Sequence, residues 1–95
     1  MSEMIEAAVK ALAAKLSGGF DGVAKFVIPG EGTIMLDAAG VRAADEAAEV
    51  TLTAEADVFR AILDGEMNAT SAFMQGKLAV DGNMGLAMKI GSVLA

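Results

Sequence analysis

The side chains that could do chemistry in this sequence are almost all carboxylates. The chain of 95 residues has 13 aspartates and glutamates but no histidine and no cysteine. This composition excludes Ser-His-Asp and Cys-His nucleophilic sites and zinc sites with nitrogen or sulfur ligands. Two carboxylates could still act as an acid–base pair if burial raised the pKa of one of them. None falls within an apolar stripe, so we predict no catalytic residues, no metal site and no enzymatic activity.

Two glycine-rich stretches are candidates for a phosphate-binding loop. Gly30-Glu31-Gly32 lacks a third glycine and a following helix, and Gly82-Asn83-Met84-Gly85 lacks a Lys-Ser/Thr ending. We interpret both as turns and predict no cofactor. Nucleic acid is also excluded as a partner, because the net charge is −6 and the chain has no tryptophan or tyrosine on which bases could stack.

Apolar residues are in excess. They make up 55% of the chain, and its 11 glycines come in addition. In an average globular domain, apolar residues and glycine together make up about 45–50% of the residues. Four of the seven methionines, Met67, Met74, Met84 and Met88, lie in the last forty residues. Methionine suits surfaces that accept ligands of variable shape. The same composition also fits an irregular core that is filled by its own side chains.

The distribution of apolar and charged residues indicates where the protein resides. The apolar runs are shorter than the stretch of about 20 residues that spans a bilayer. The N-terminus carries Glu3 and Glu6 and lacks the basic segment of a secretory signal. We therefore predict a single cytoplasmic domain over residues 1–95.

Helical periodicity is strongest at the two ends of the chain. Ser2 can cap a first helix with an apolar stripe from Ile5 to Leu16, which Ser17-Gly18-Gly19 ends. Thr53 is predicted to cap a helix that reaches Leu63. The later helices are predicted to end at Gly76 and to span Met84–Leu94.

Alternating apolar residues predict five strands, over residues 20–28, 33–38, 41–43, 49–53 and 77–81. Short turns make the first three antiparallel. Because helices join the fourth strand to the fifth, we expect a crossover there. The predicted class is α+β, with helices on one face of a five-stranded sheet.

Four sequence blocks resemble one known family, the sterol carrier protein-2 (SCP-2) domains. The resemblance is strongest from Glu49 to Ile90 and looser before it. The blocks are Val50-Thr51-Leu52-Thr53, Phe59-x-x-Ile62-Leu63-x-Gly65-x-Met67-Asn68, Ser71-Ala72-Phe73-Met74-Gln75-Gly76-Lys77-Leu78 and Gly82-Asn83-Met84-Gly85-Leu86-Ala87-Met88-Lys89-Ile90.

The resemblance implies a five-stranded mixed sheet with an apolar tunnel beneath its helices. It implies non-enzymatic binding and transfer of a fatty acyl, acyl-CoA, phospholipid, sterol or isoprenoid chain. We also expect a monomer that makes transient contact with membranes. Gln75 is a candidate for one of two roles: a hydrogen bond to a lipid head group, or a cap at the C-terminus of its helix. The predicted lipid-binding residues are Ile34, Leu36, Phe59, Ile62, Leu63, Phe73, Met74, Gln75, Met84, Leu86, Met88, Ile90, Val93 and Leu94.

The sequence departs from the family pattern in three ways. Ala69 stands where the family often has proline, the chain ends without a Ser-Lys-Leu signal, and it is acidic. The last two favour a stand-alone bacterial member, and a straight acyl or isoprenoid chain rather than a sterol. Two alternatives stay open: a module that presents lipid to a membrane-lipid or quinone-synthesis enzyme, and a structural interaction domain with a filled core.

Overall fold

Four helices and five strands make up the described part of the chain. The computed structural model describes residues 3–16 and 19–94. Among these residues, none of the helices has the length and apolar character that a transmembrane span requires. In chain order the elements are α1 (Glu3–Lys15), β1 (Ala24–Ile28), β2 (Gly32–Asp37), β3 (Gly40–Ala43), β4 (Val50–Ala54), α2 (Ala56–Leu63), α3 (Ala69–Met74), β5 (Leu78–Gly82) and α4 (Met84–Leu94).

The strands form one mixed sheet in the order β3-β2-β1-β4-β5. β1 and β4 run parallel, whereas every other neighbouring pair is antiparallel. The predicted α+β class and five-stranded sheet are confirmed.

The connection between β4 and β5 differs from the prediction. These strands are antiparallel neighbours with Ala54 opposite Leu78, so the predicted crossover between them is wrong. The chain leaves the sheet at the end of β4, passes through α2 and α3, and returns at the same end to begin β5. A connection of this kind needs no crossover. The crossover instead joins β3 to β4, because residues 44–49 carry the chain past β2 and β1 before β4 pairs with β1.

The core lies on one face of the sheet. Alternate residues such as Phe26 and Ile28 of β1 and Leu52 of β4 are buried there. α1 packs against β2 and β3, whereas α4 packs against β4 and β5. The two halves of the sheet are therefore covered by different helices. This division determines which residues line the cavity described below.

The crossover segment is held on the opposite face. Met35 alternates to that face and is nevertheless 0% exposed; its partners in register are Lys25 of β1 and Arg42 of β3. Lys25 forms an ion pair with Asp45 at 2.9 Å, and Arg42 forms one with Glu46 at 3.2 Å. Partly exposed pairs of this kind contribute little stability each. The two pairs connect the crossover segment to β1 and β3, the strands on either side of Met35.

The two helices that follow β4 differ in how they begin. Thr53 belongs to β4, so its predicted capping role is wrong; Glu55 takes the N-cap position of α2 without a side-chain hydrogen bond. α3 begins after Asn68, whose side-chain oxygen accepts hydrogen bonds from the backbone N–H groups of Thr70 at 2.8 Å and Ser71 at 3.3 Å. A cap of this type stabilises a helix by about 1 kcal/mol.

The first strand begins at Ala24 rather than at the predicted Phe20. Gly22 has a φ of +134°, and a side chain there would approach Leu86 of α4 to 2.9 Å. The chain therefore bends at this glycine instead of continuing the strand. The predicted cap at Ser2 and the predicted stop at Ser17-Gly18 lie outside the described residues.

Candidate functional site

An apolar cavity of about 330 Å³ lies between the sheet and helices α2, α3 and α4. It is about twice the size of a dry apolar cavity of about 150 Å³ that accepts benzene. The lining residues are Phe26, Leu52, Phe59, Ile62, Ala69, Thr70, Phe73, Met74, Leu78, Val80, Met84, Ala87, Met88, Ile90, Gly91 and Leu94.

The floor of the cavity is a row of side chains across three strands. Phe26 of β1 lies opposite Leu52 of β4, and Leu52 lies opposite Val80 of β5. Residues in register point to the same face of a sheet, so these three side chains are neighbours. Leu78, two residues before Val80 in β5, extends the same face and is 5% exposed.

The inner wall comes from α2. Phe59 and Ile62 are three residues apart, so both project from one side of the helix, and they are 1% and 2% exposed. The ring of Phe59 contacts that of Phe26, with centroids 4.9 Å apart and planes tilted by 44°. This aromatic pair, worth about 0.5–1.5 kcal/mol beyond its buried area, ties the inner wall to the floor.

The cavity opens to solvent at its outer end. Four apolar side chains border this opening, and we call them the rim. Phe73 and Met74 of α3 are 43% and 80% exposed, and Met84 and Met88 of α4 are 48% and 73% exposed. These are the large hydrophobic side chains that the described residues leave exposed. A cluster of this kind at the edge of an apolar cavity is typical of a binding groove.

α4 is positioned over the sheet by its first residues. The side-chain oxygen of Asn83 accepts a hydrogen bond from the backbone N–H of Leu86 at 3.1 Å and thereby caps the helix. Gly82 has a φ of +108°, and a side chain there would collide with the backbone oxygen of Glu49. The turn before α4 therefore depends on glycine.

Small residues leave space where α3 and α4 meet. A Cβ atom on Gly91 of α4 would lie 4.0 Å from the Cβ of Ala69 in α3, which is an ordinary contact. Both residues line the cavity. A larger side chain at Gly91 would extend into the space that the cavity occupies.

The electrostatic character of the cavity is almost neutral. Thr70 supplies the one hydroxyl among the lining residues, and none of them is charged. Asp37 and Arg42 of the outer sheet face form an ion pair at 2.9 Å. The hydrogen bond from Arg42 lowers the pKa of Asp37 and raises the pKa of Arg42. Neither group belongs to the cavity lining, which offers apolar contact rather than acid–base groups.

Metal binding is equally unsupported by the geometry. In residues 3–16 and 19–94, no group of three or more aspartates and glutamates is placed to hold a metal ion.

The structure brings eight of the predicted site residues together in the cavity and places six elsewhere. Ile34 and Leu36 are buried in β2, which α1 covers. Leu63, Leu86 and Val93 are partly buried against the core without lining the cavity. Gln75 is exposed at the C-cap position of α3. The eight in the lining are Phe59, Ile62, Phe73, Met74, Met84, Met88, Ile90 and Leu94.

The prediction missed the floor and the small residues of the lining. The floor became recognisable only from the strand order, although the alternation in the last strand already placed Leu78 and Val80 together. The small residues were missed because the prediction relied on large apolar side chains at regular spacing. The missed residues are Phe26, Leu52, Ala69, Thr70, Leu78, Val80, Ala87 and Gly91.

Comparison with known proteins decides the family. A model of the SCP-2 sterol transfer family matches residues 3–95. The chain belongs to this family. The resemblance seen in the sequence blocks is thereby confirmed.

The SCP-2 relatives include both sequences and solved structures. Human sterol carrier protein 2 is 52% identical over 46 residues, which cover 48% of this chain but only 8% of the human protein. SCP-2 from Aedes aegypti, solved in complex with palmitate, has a TM-score of 0.79 at 28% identity and covers 100% of this chain and 97% of that chain.

A second Aedes aegypti structure, SCP-2 like 2, shows the same fold. It has a TM-score of 0.81 at 23% identity, covering 95% of each chain. The mixed sheet with its covering helices is therefore the SCP-2 fold.

Proposed function

We propose that this SCP-2 domain binds the aliphatic chain of a lipid in the cavity and carries it through water without catalysing a reaction. The observation that carries the proposal is the cavity of about 330 Å³ with an uncharged, apolar lining that opens at an exposed apolar rim. The palmitate complex of the 28% identical mosquito protein supports the same chemistry.

The energetics favour a long chain over a short one. Each methylene removed from water contributes about 0.8 kcal/mol. A dissociation constant of about 1 μM corresponds to about 8 kcal/mol, and ordering the ligand adds several kcal/mol to what the contacts must supply. About ten or more buried methylenes are therefore needed, which points to a long acyl or isoprenoid chain.

The head group is expected to stay at the rim, in water. A carboxylate or phosphate inside the cavity would lose its hydration, and no lining residue carries a positive charge to offset that loss. The Thr70 hydroxyl provides one hydrogen-bonding group along the lining. We therefore propose that the cavity selects the chain rather than the charge of its head group.

Binding is tested by titrating the purified domain with a fluorescent long-chain fatty acid. We expect a dissociation constant in the low micromolar range or below, with displacement of the probe by palmitate and palmitoyl-CoA and weaker displacement by cholesterol. A domain of similar size and net charge, without a cavity, serves as control. Binding no stronger than that of the control would contradict the proposal and favour a side-chain-filled core.

Transfer is a separate step that the same preparation can test. Movement of the fluorescent fatty acid from donor to acceptor vesicles should accelerate in proportion to the protein concentration. Tight binding without acceleration would instead indicate a module that presents lipid to an enzyme.

A further inference from the structure

The methionines of the described residues fall into two sets. Three of them, Met74, Met84 and Met88, are 48–80% exposed, and all three line the cavity. Neither Met4, at 9% exposure, nor Met35, at 0%, lines it. The third methionine outside the lining, Met67, is partly buried against the core. Exposure and position at the cavity thus coincide.

Accessible thioethers react with peroxides, whereas buried ones are protected. The sulfur of Met4 is further shielded by a hydrogen bond that it accepts from the guanidinium group of Arg60 at 3.6 Å. Met35 is 0% exposed on the far face of the sheet, in register with Lys25 and Arg42. Oxidation should therefore begin at the rim and leave the core methionines intact.

We propose that Met74, Met84 and Met88 are modification sites at which peroxide forms methionine sulfoxide, and that this modification releases the bound lipid. The inference rests on the proposed lipid binding. In each reaction the thioether sulfur attacks one oxygen atom of hydrogen peroxide, so that an S–O bond forms as the O–O bond breaks, and the departing hydroxide takes the proton from the transferred oxygen. The sulfur is oxidised by two electrons, and the peroxide is reduced to one molecule of water.

The consequence for binding follows from the lining. A sulfoxide is polar and accepts hydrogen bonds, whereas the unmodified thioether is apolar. A lipid chain lying on the oxidised rim would remove water from the sulfoxide oxygens, and the lining offers the Thr70 hydroxyl as its one side-chain donor. The uncompensated desolvation should weaken binding about tenfold when all three methionines are modified.

The sites are tested first without any lipid. The domain is treated with hydrogen peroxide, and oxidation of each methionine is followed over time by peptide mass spectrometry. Met74, Met84 and Met88 should be oxidised well before Met4 and Met35, while circular dichroism stays unchanged. Equal oxidation rates at rim and core methionines in the folded domain would overturn the inference.

The effect on binding is tested with a variant that cannot be oxidised at the rim. Met74→Leu/Met84→Leu/Met88→Leu keeps the apolar volume of the rim, and such exchanges usually cost little stability. The control, Met67→Leu, changes a methionine outside the lining. Peroxide should weaken binding of fluorescent fatty acid about tenfold in the wild type and in the control, but not in the triple variant.

The two proposals fail in different ways. If the unoxidised wild type does not bind the probe, the proposed function is contradicted, together with the release that depends on it. If it binds but peroxide leaves its affinity unchanged, the inference alone is overturned. Equal losses in the wild type and the triple variant would also overturn it, because the sensitive group would then lie outside the rim.

Discussion

Replacing Phe59 with alanine is expected to lower the free energy of unfolding by about 3–5 kcal/mol. The side chain is 1% exposed and contacts the ring of Phe26 at a centroid distance of 4.9 Å. Its removal enlarges the cavity at the inner wall and deletes the ring contact between α2 and Phe26 of the floor. Small domains have a total stability of about 5–15 kcal/mol, so the loss should be obvious in urea unfolding followed by circular dichroism.

The matched control is the same substitution at the rim, Phe73→Ala. Phe73 is 43% exposed, so we expect a loss of stability below about 1 kcal/mol with a several-fold loss of affinity for a fluorescent fatty acid. The pair thus separates the wall that supports the fold from the rim that contacts the ligand. A Phe73→Ala variant as unstable as Phe59→Ala would show that α3 is core, and a stable Phe59→Ala would contradict the described inner wall.

Replacing Gly91 with leucine is expected to reduce lipid affinity by at least about tenfold while leaving stability equal or higher. Four side-chain carbons would enter the cavity between α3 and α4, where the nearest atom to a new Cβ is the Cβ of Ala69 at 4.0 Å. Filling the space removes methylene contacts that the ligand would make. Glycine within a helix also costs about 1 kcal/mol relative to better helix formers.

A loss of affinity without a loss of stability distinguishes the effect of this substitution from general damage to the fold. The control, Ser92→Leu, adds a leucine to the neighbouring exposed residue of α4, outside the lining. It should gain some helix propensity and retain the affinity of the wild type. If Gly91→Leu binds fatty acid as tightly as the wild type does, then the ligand lies elsewhere.

Local patterns in the sequence were sufficient to predict the elements. Apolar spacing indicated α1 and α4, and alternation indicated all five strands, because each signal depends only on neighbours along the chain. For Phe59 and Ile62 of α2, the lining role was predicted from the resemblance to the SCP-2 family rather than from spacing. These residues were predicted as lining residues and lie in the cavity.

Long-range pairing was the part that local patterns could not supply. Ile34 and Leu36 have the same alternation as Leu52, and the order of the strands, rather than their sequence, places the first two beneath α1. The row of Phe26, Leu52 and Val80 joins segments that are 26 and 28 residues apart in the chain. Gly91 contributes through the side chain it lacks, which no apolar pattern reveals.

The most direct test of lipid binding in the cavity is a nuclear magnetic resonance titration with palmitate, using protein labelled with carbon-13 at the methionine methyl groups. The methionines lie both in the cavity and in the core, so each position reports separately. We expect the methyl resonances of Met74, Met84 and Met88 to shift to saturation and to show nuclear Overhauser effects to the palmitate methylenes, while Met4 and Met35 stay unchanged. Saturating palmitate that contacts none of the three rim methyl groups would contradict the account.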